Sequence, residues 1–291
     1  MNFEGNVINR FEHREMIDHV HAEIKRKFDA DRIDPNDFDL NSVERDLAYL
    51  ADLEKKFGEE TDPVLIESKK LADILEYFIY FHGEQSSWLG DEAETIAPSR
   101  FDDVINGVDV LVDLGEEDSL PQVAGLGIDA TTSPNPDLLF GKITRIREEI
   151  QSGKMAEVKY FEDDNFKGSL KNIPKIVISA DQTTVIRLVK LFEQGAGSSQ
   201  AFAEEKFQYQ LLEQILRQCE VFAKIADFNN QPETAKKYRF FWDRFAPVFA
   251  EKMKDAQERG IFEVDGDTAH VSLMNELSVL GREIDKLIEA V

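Results

Sequence analysis

Two short runs rich in Val, VDVLVDL at 108–114 and VAGLGIDA at 123–130, interrupt a chain whose apolar residues otherwise recur mostly every three or four positions. Near-continuous apolar character over so few residues predicts central strands, which need helices to cover them. The segment between the runs, GEEDSLPQ, is turn-like, so the pair predicts a β-hairpin with a longer loop. DLLFGKITRIREEIQSGK then returns to helical period through Leu139, Ile143, Ile146 and Ile150, with Gly153 as the stop. MAEVKYF (155–161) and PKIVISA (174–180) are again strand-like, and TTVIRLVKLFEQG (183–195) predicts a helix ending at glycine. Strands on both sides of a helix favour an α/β fold: a central mixed β-sheet with flanking helices and at least one crossover pair.

Helices are expected on either side of this centre. In the N-terminal segment, 1–61, Phe11, Ile17, Val20, Ile24 and Phe28 mark one helix. Val43, Leu47, Leu50, Leu53 and Phe57 mark a second, capped by Asn41 or Ser42 and stopped at Gly58. A segment of about sixty residues is marginal alone, so it is expected to pack on the core. The core is placed at 62–195 and opens with a third helix, Asp62 at its N-cap and Pro63 in its first turn. That helix is expected to close at Gly83 and to be deeply buried through Leu71, Ile74, Leu75, Phe78 and Ile79. The breaker GAGSSQ (195–200) sets a boundary, and 200–291 is expected to be helical, with stripes through Leu211 to Ile225, Tyr238 to Phe249 and Leu273 to Leu287.

Charge narrows the function. The chain has 34 Lys and Arg against 58 Asp and Glu, a net charge of −24. Such a surplus repels phosphate backbones and counts against nucleic-acid binding, although an acidic metal site recruits cations that invert the local potential. No apolar run is long enough for a membrane span, and the N-terminus has no basic start followed by an apolar core, so a cytoplasmic protein with no membrane partner is expected. The single cysteine, Cys219, lies in an apolar helical stripe and is expected to be a buried small hydrophobe. His19 and His21, two apart, fall on different helix faces, and His13, His82 and His270 are isolated, so no histidine metal site is indicated. The aromatic cluster YRFFWDRF (238–245) has helical spacing and is expected in the core or on a partner-helix face.

The hairpin carries the candidate chemistry. Asp109 opens one predicted strand and Asp129 lies near the end of the next, and antiparallel pairing brings those two places to one edge of the sheet. Asp102 and Asp103 precede the first strand and add carboxylate at the same end, where turn formation is their alternative role. Paired carboxylates suit Mg²⁺, or Mn²⁺ in its place, and such an ion activates water for phosphodiester hydrolysis.

A helix, a hairpin with an acid on each strand, then helix and strand resembles the core of the PD-(D/E)XK nuclease superfamily, over roughly residues 62–195. The resemblance implies a restriction-endonuclease-like core and a nucleic-acid substrate. Asp109 matches the family's first acid and Asp129 its second, while Glu67 or Glu76 on the preceding helix would complete the metal site. The family's lysine position holds Thr131; Lys142 in the following helix and Lys159 in the next strand are the candidates to replace it. Metal ligands are therefore sought among Asp109, Asp129, Asp103, Glu67 and Glu76, and catalytic groups among Asp109, Asp129, Lys142 and Lys159. Thr131 and the charge of −24 favour an alternative, a catalytically silent protein of this fold that presents its surface to a protein partner.

Overall fold

The computed structural model describes residues 3–115, 125–163, 166–195, 200–261 and 263–290, with side chains described for all of these but 3–12 and 57. Most of the expected hairpin loop (116–122), the start of its second strand (123–124), four residues of the expected breaker (196–199) and the Phe11 and Phe57 side chains lie outside the described residues.

The N-terminal part comprises α1 (Phe3–Asp31), a short 3₁₀ turn (Pro35–Asp37), α2 (Val43–Gly58) and α3 (Pro63–Gln85). Asp62 caps α3, its side chain accepting from the Val64 N–H, and Pro63 occupies the first turn, where an N–H would be unpaired in any case. The helix ends two residues beyond the expected Gly83. It is followed by β1 (Glu94–Ile96), a π-helical turn (Asp102–Asn106), β2 (Val110–Asp113), β3 (Gly125–Thr131) and α4 (Pro136–Ser152). Then come β4 (Ala156–Glu162), β5 (Lys167–Ile173), β6 (Lys175–Ser179) and α5 (Gln182–Glu193). The C-terminal part is α6 (Gln200–Ala203), α7 (Phe207–Phe228), α8 (Pro232–Glu258) and α9 (Thr268–Glu289). Gly153 ends α4 at φ 68°, in the left-handed region that glycine enters without a steric penalty.

The four-stranded sheet has the order β1-β2-β3-β6. β1, β2 and β3 are antiparallel neighbours, and β6 pairs parallel to β3 after a crossover that includes α4. The sheet is thus mixed and flanked by helices. β4 and β5 form a separate antiparallel pair. The sequence predicts only the first strand of that pair, since KGSLKNI is polar at most positions and carries little strand pattern.

Side chains alternate across the sheet as the pleat requires. Val110, Val112, Leu126 and Ile128 join α3 residues Leu71, Ile74, Leu75 and Phe78 in the largest core cluster. Val108 and Leu111 instead meet Val158, Phe161 and Leu170 of the β4–β5 pair. α2 covers the other side of that pair, where Phe38, Val43 and Leu50 gather around Tyr160 and Phe101. α1 packs on α3 through Ile17, Val20, Ile24 and Phe28, all buried, and α7, α8 and α9 add to the same core. Each such side chain contributes roughly 1.5–3 kcal/mol on burial, so α1 is held by its apolar face. Cys219 is buried in this core. Tyr238, Phe241 and Phe245 of the aromatic cluster are buried too, whereas Trp242 is exposed.

At the β6 edge, α7 and α8 supply side chains where a further strand would supply backbone. Gln218 accepts from the Val177 N–H at 2.8 Å and donates to the Val177 carbonyl at 2.7 Å. Gln214, one turn earlier, does the same for Ser179 at 2.7 and 3.0 Å. The Tyr238 hydroxyl serves Lys175, accepting from its N–H at 3.3 Å and donating to its carbonyl at 3.0 Å. Among the described residues no helix is long and apolar enough to cross a membrane.

Candidate metal centre

The site forms where the chain enters β2. The π-helical turn ends at Gly107, φ 63°, which reverses the chain into Val108 and Asp109. Asp102, fully buried at the start of the turn, accepts from Ser99 Oγ (2.6 Å), Asn106 Nδ2 (2.7 Å) and the backbone N–H groups of Lys159 (2.6 Å) and Tyr160 (3.1 Å). Its oxygens are fully engaged, so Asp102 fastens the turn to β4 and is not available as a ligand.

Asp103, the next residue, points elsewhere. Its Oδ2 receives Arg32 Nη2 at 2.7 Å, from the residue that follows α1, and Arg100 Nη1 at 2.6 Å. Arg100 also binds Glu54 of α2 at 3.0 Å. Asp109 donates its N–H to the Ile128 carbonyl at 2.8 Å, and its Oδ2 accepts from the Ala130 N–H at 2.7 Å. A side-chain oxygen thus stands in for a ladder carbonyl just before β2 begins, which locks the carboxylate against β3. Glu76, on α3 and 9% exposed, reaches the same place.

One carboxylate oxygen each from Glu76, Asp103 and Asp109 lies within 4.8 Å of the others. Oxygens on opposite sides of a Mg²⁺ stand about 4.2 Å apart at ~2.1 Å per ligand, so three such acids can hold a metal ion with little movement. Their protonation shows the strain of crowding like charges. Burial, then Asp109, Asp103 and Asp73, hold the Glu76 carboxyl well above the usual carboxylate range, with Arg32 opposing. Burial, then Asp103 and Asp129, do the same to Asp109, against Lys142 and the Ala130 N–H. Hard oxygen donors with no histidine or thiolate suit Mg²⁺ or Mn²⁺ better than zinc or copper.

Asp129 is adjacent yet outside that cluster, and its Oδ1 accepts from the Lys142 ammonium on α4. The sequence candidates therefore separate. Glu76, Asp103 and Asp109 come together, and Asp129 pairs with Lys142 beside them. Glu67 does not join: it lies 3.6 Å from Arg14 Nε, with a side chain 37% exposed, nine residues before Glu76 on α3. Lys159 does not join either, since its ammonium is bound to Asp46 of α2, which also accepts from the Tyr160 hydroxyl at 2.8 Å. Chain order alone places Lys159 near the hairpin, whereas β4 belongs to the second sheet and its Lys159 meets α2. Thr131 is paired opposite Ser179 in the β3–β6 ladder.

Arg32 and Arg100 were not anticipated. Arg100 stands three residues before Asp103, a spacing that often joins opposite charges, and that signal was available. Arg32 is separated from Asp103 by 71 residues and had none. Comparison of the chain with protein-family models, with curated proteins and with solved structures finds no match in any of the three.

Proposed function

We propose that the chain is a metal-dependent nuclease-like protein, with Glu76, Asp103 and Asp109 holding Mg²⁺ or Mn²⁺ and phosphodiester hydrolysis as its reaction. The observation that carries this is the approach of three carboxylates, from a helix, a turn and a strand entry, to within 4.8 Å, with the Lys142–Asp129 pair alongside. The order helix, hairpin, helix, parallel strand supports the resemblance to the PD-(D/E)XK superfamily. A divalent ion in this cluster supplies a Lewis acid and lowers the pKa of water. The chain's own part is positional. Asp109 is fixed by the Ala130 N–H, Asp103 by two guanidinium groups, and the Lys142 ammonium provides positive charge next to Asp129 in an otherwise acidic molecule.

The test is calorimetric titration of Mg²⁺ and Mn²⁺ into the wild type, Glu76→Gln and Asp109→Asn, with cleavage assays on single-stranded and duplex DNA and RNA. Binding by the wild type that weakens at least tenfold in both variants, with cleavage lost in step, supports the proposal. Absence of metal binding in the wild type sinks it. Metal binding without cleavage leaves the second reading, a silent protein of the same fold that engages a protein partner. That reading is favoured by the two guanidinium groups that already neutralise Asp103, and by the charge of −24.

A further inference from the structure

An open surface pocket of about 440 Å³ lies between α1, α3 and the end of α5, and it shares no lining residue with the acidic cluster. Its volume is within the usual range for small-molecule sites, roughly 300–1,000 Å³. The apolar part is aromatic. Tyr77 and Phe81 stack at 5.5 Å with their planes 11° apart, and Phe192 forms another wall.

The polar part carries both signs. His19, Glu23 and Lys27 follow one another at four-residue spacing, so α1 presents them on one face, and Glu193 faces them from α5. They are paired internally: His19 Nδ1 lies 2.6 Å from Glu193 Oε1, and Lys27 Nζ lies 2.8 Å from Glu23 Oε1. The Lys27 ammonium also stands 5.4 Å from the centre of the Phe192 ring.

We propose that this pocket binds a small zwitterion with an aromatic body, of the aromatic α-amino acid class. A simple cation would meet Lys27, and a simple anion would meet Glu23 and Glu193. A zwitterion avoids both conflicts, because its ammonium takes over a carboxylate and its own carboxylate takes over the released cation, so one internal pair is exchanged for two ligand pairs. The aromatic body lies against Phe81 and Phe192, which Tyr77 backs from the core, and ring contacts add to the burial of apolar area.

The experiment compares three probes of one shape, L-phenylalanine, phenethylamine and 3-phenylpropanoate, by calorimetry and ligand-observed NMR on the full chain. L-Phenylalanine is expected to bind with a dissociation constant of about a millimolar or below, the range for a ligand of this size. The two singly charged probes are expected to bind at least about fivefold more weakly. Glu193→Gln and Lys27→Met are each expected to weaken L-phenylalanine by a similar factor and to narrow its advantage over the probes. Because both side chains are part-exposed, the variants are first checked for an unchanged thermal midpoint, and Phe192→Leu provides a second test in which charge is kept. Equal binding of phenethylamine and L-phenylalanine overturns the proposal, as does binding that all three variants leave unaltered. No binding of any probe overturns it as well. The readout is ligand binding in the absence of added metal, so this test does not depend on the metal centre.

Discussion

Glu76 and Asp109 are the residues whose ionisation is most exposed to test, because burial and neighbouring carboxylates raise both above the usual range. Over the pH interval above the ordinary carboxylate range, the native state keeps protons that the unfolded chain has lost. Stability therefore falls as pH rises through that interval, which is the sign required when the native state binds more protons. Measured against Glu76→Gln, the thermal midpoint of the metal-free wild type is expected to decline from about pH 4 towards neutrality. Added Mg²⁺ should reverse that decline and release protons, seen as a binding enthalpy that changes with the ionisation enthalpy of the buffer. A wild type and variant with parallel pH profiles would contradict the assignment. His82 has the opposite sign. It is fully buried, stacked 3.7 Å from Phe202, with Ser86 on Nδ1 and, among the described residues, no partner on Nε2, and burial depresses its pKa to about 3. The unfolded chain binds the proton first, so stability is lost as pH falls from about 6.5 towards 3, by roughly 2 kcal/mol at pH 5 at about 1.4 kcal/mol per pH unit. Urea unfolding of the wild type and His82→Gln at pH 7 and pH 5 checks this: the gap between them should shrink or reverse at pH 5. Asp109 and Asp129 were legible in the sequence because acids interrupting Val-rich runs stand out, whereas the choice of Glu76 over Glu67 depended on which turn of α3 faces the strand entry.

At the scale of elements, what could be read was whatever had a period. α3, α4, α7, α8 and α9 carry apolar stripes, and β2, β3 and β6 carry dense branched residues, so these were identifiable. β1 is three residues long and β5 is mostly polar, too short and too weakly patterned to register. The π-helical turn that delivers Asp102 and Asp103 left no trace beyond a cluster of turn-forming residues. α7 shows a subtler limit. Gln214 and Gln218 look like solvent-facing residues of an amphipathic helix, yet both are buried and bonded to the β6 backbone. Replacing Gln218 by Met keeps the volume and removes both partners of Val177. Each stranded backbone group costs about 1–3 kcal/mol, so Gln218→Met is expected to destabilise by at least about 2 kcal/mol in urea unfolding, more than an exposed Gln→Met substitution in α8. A loss below about 0.5 kcal/mol would mean that the Val177 bonds are not maintained in solution.

At the scale of the molecule, the acidic cluster is tied to the N-terminal helices. Asp103 binds Arg32 just past α1, and through Arg100 it is linked to Glu54 of α2. A chain reduced to residues 62–291 loses those contacts and uncovers the apolar face of α3. It is expected to unfold at a thermal midpoint at least about 10 °C lower, or to fail to fold, and to lose metal binding in either case; retention of wild-type metal affinity would show the centre to be independent of α1 and α2. Charge also acts on this scale. Spreading −24 over one chain favours expansion, so moderate salt is expected to raise the thermal midpoint by screening. The glutamine and tyrosine side chains along β6 have a consequence for how the molecule meets its own copies. An open strand edge is a template on which another chain can add a strand, the first step towards aggregation. Here that template is already read by amides from within, so backbone pairing at the β6 edge is closed without a bulge, a proline or a line of lysines. A Gln218 variant should therefore scatter light at concentrations where the parent chain stays clear, and the loss of two hydrogen bonds would become a loss of solubility.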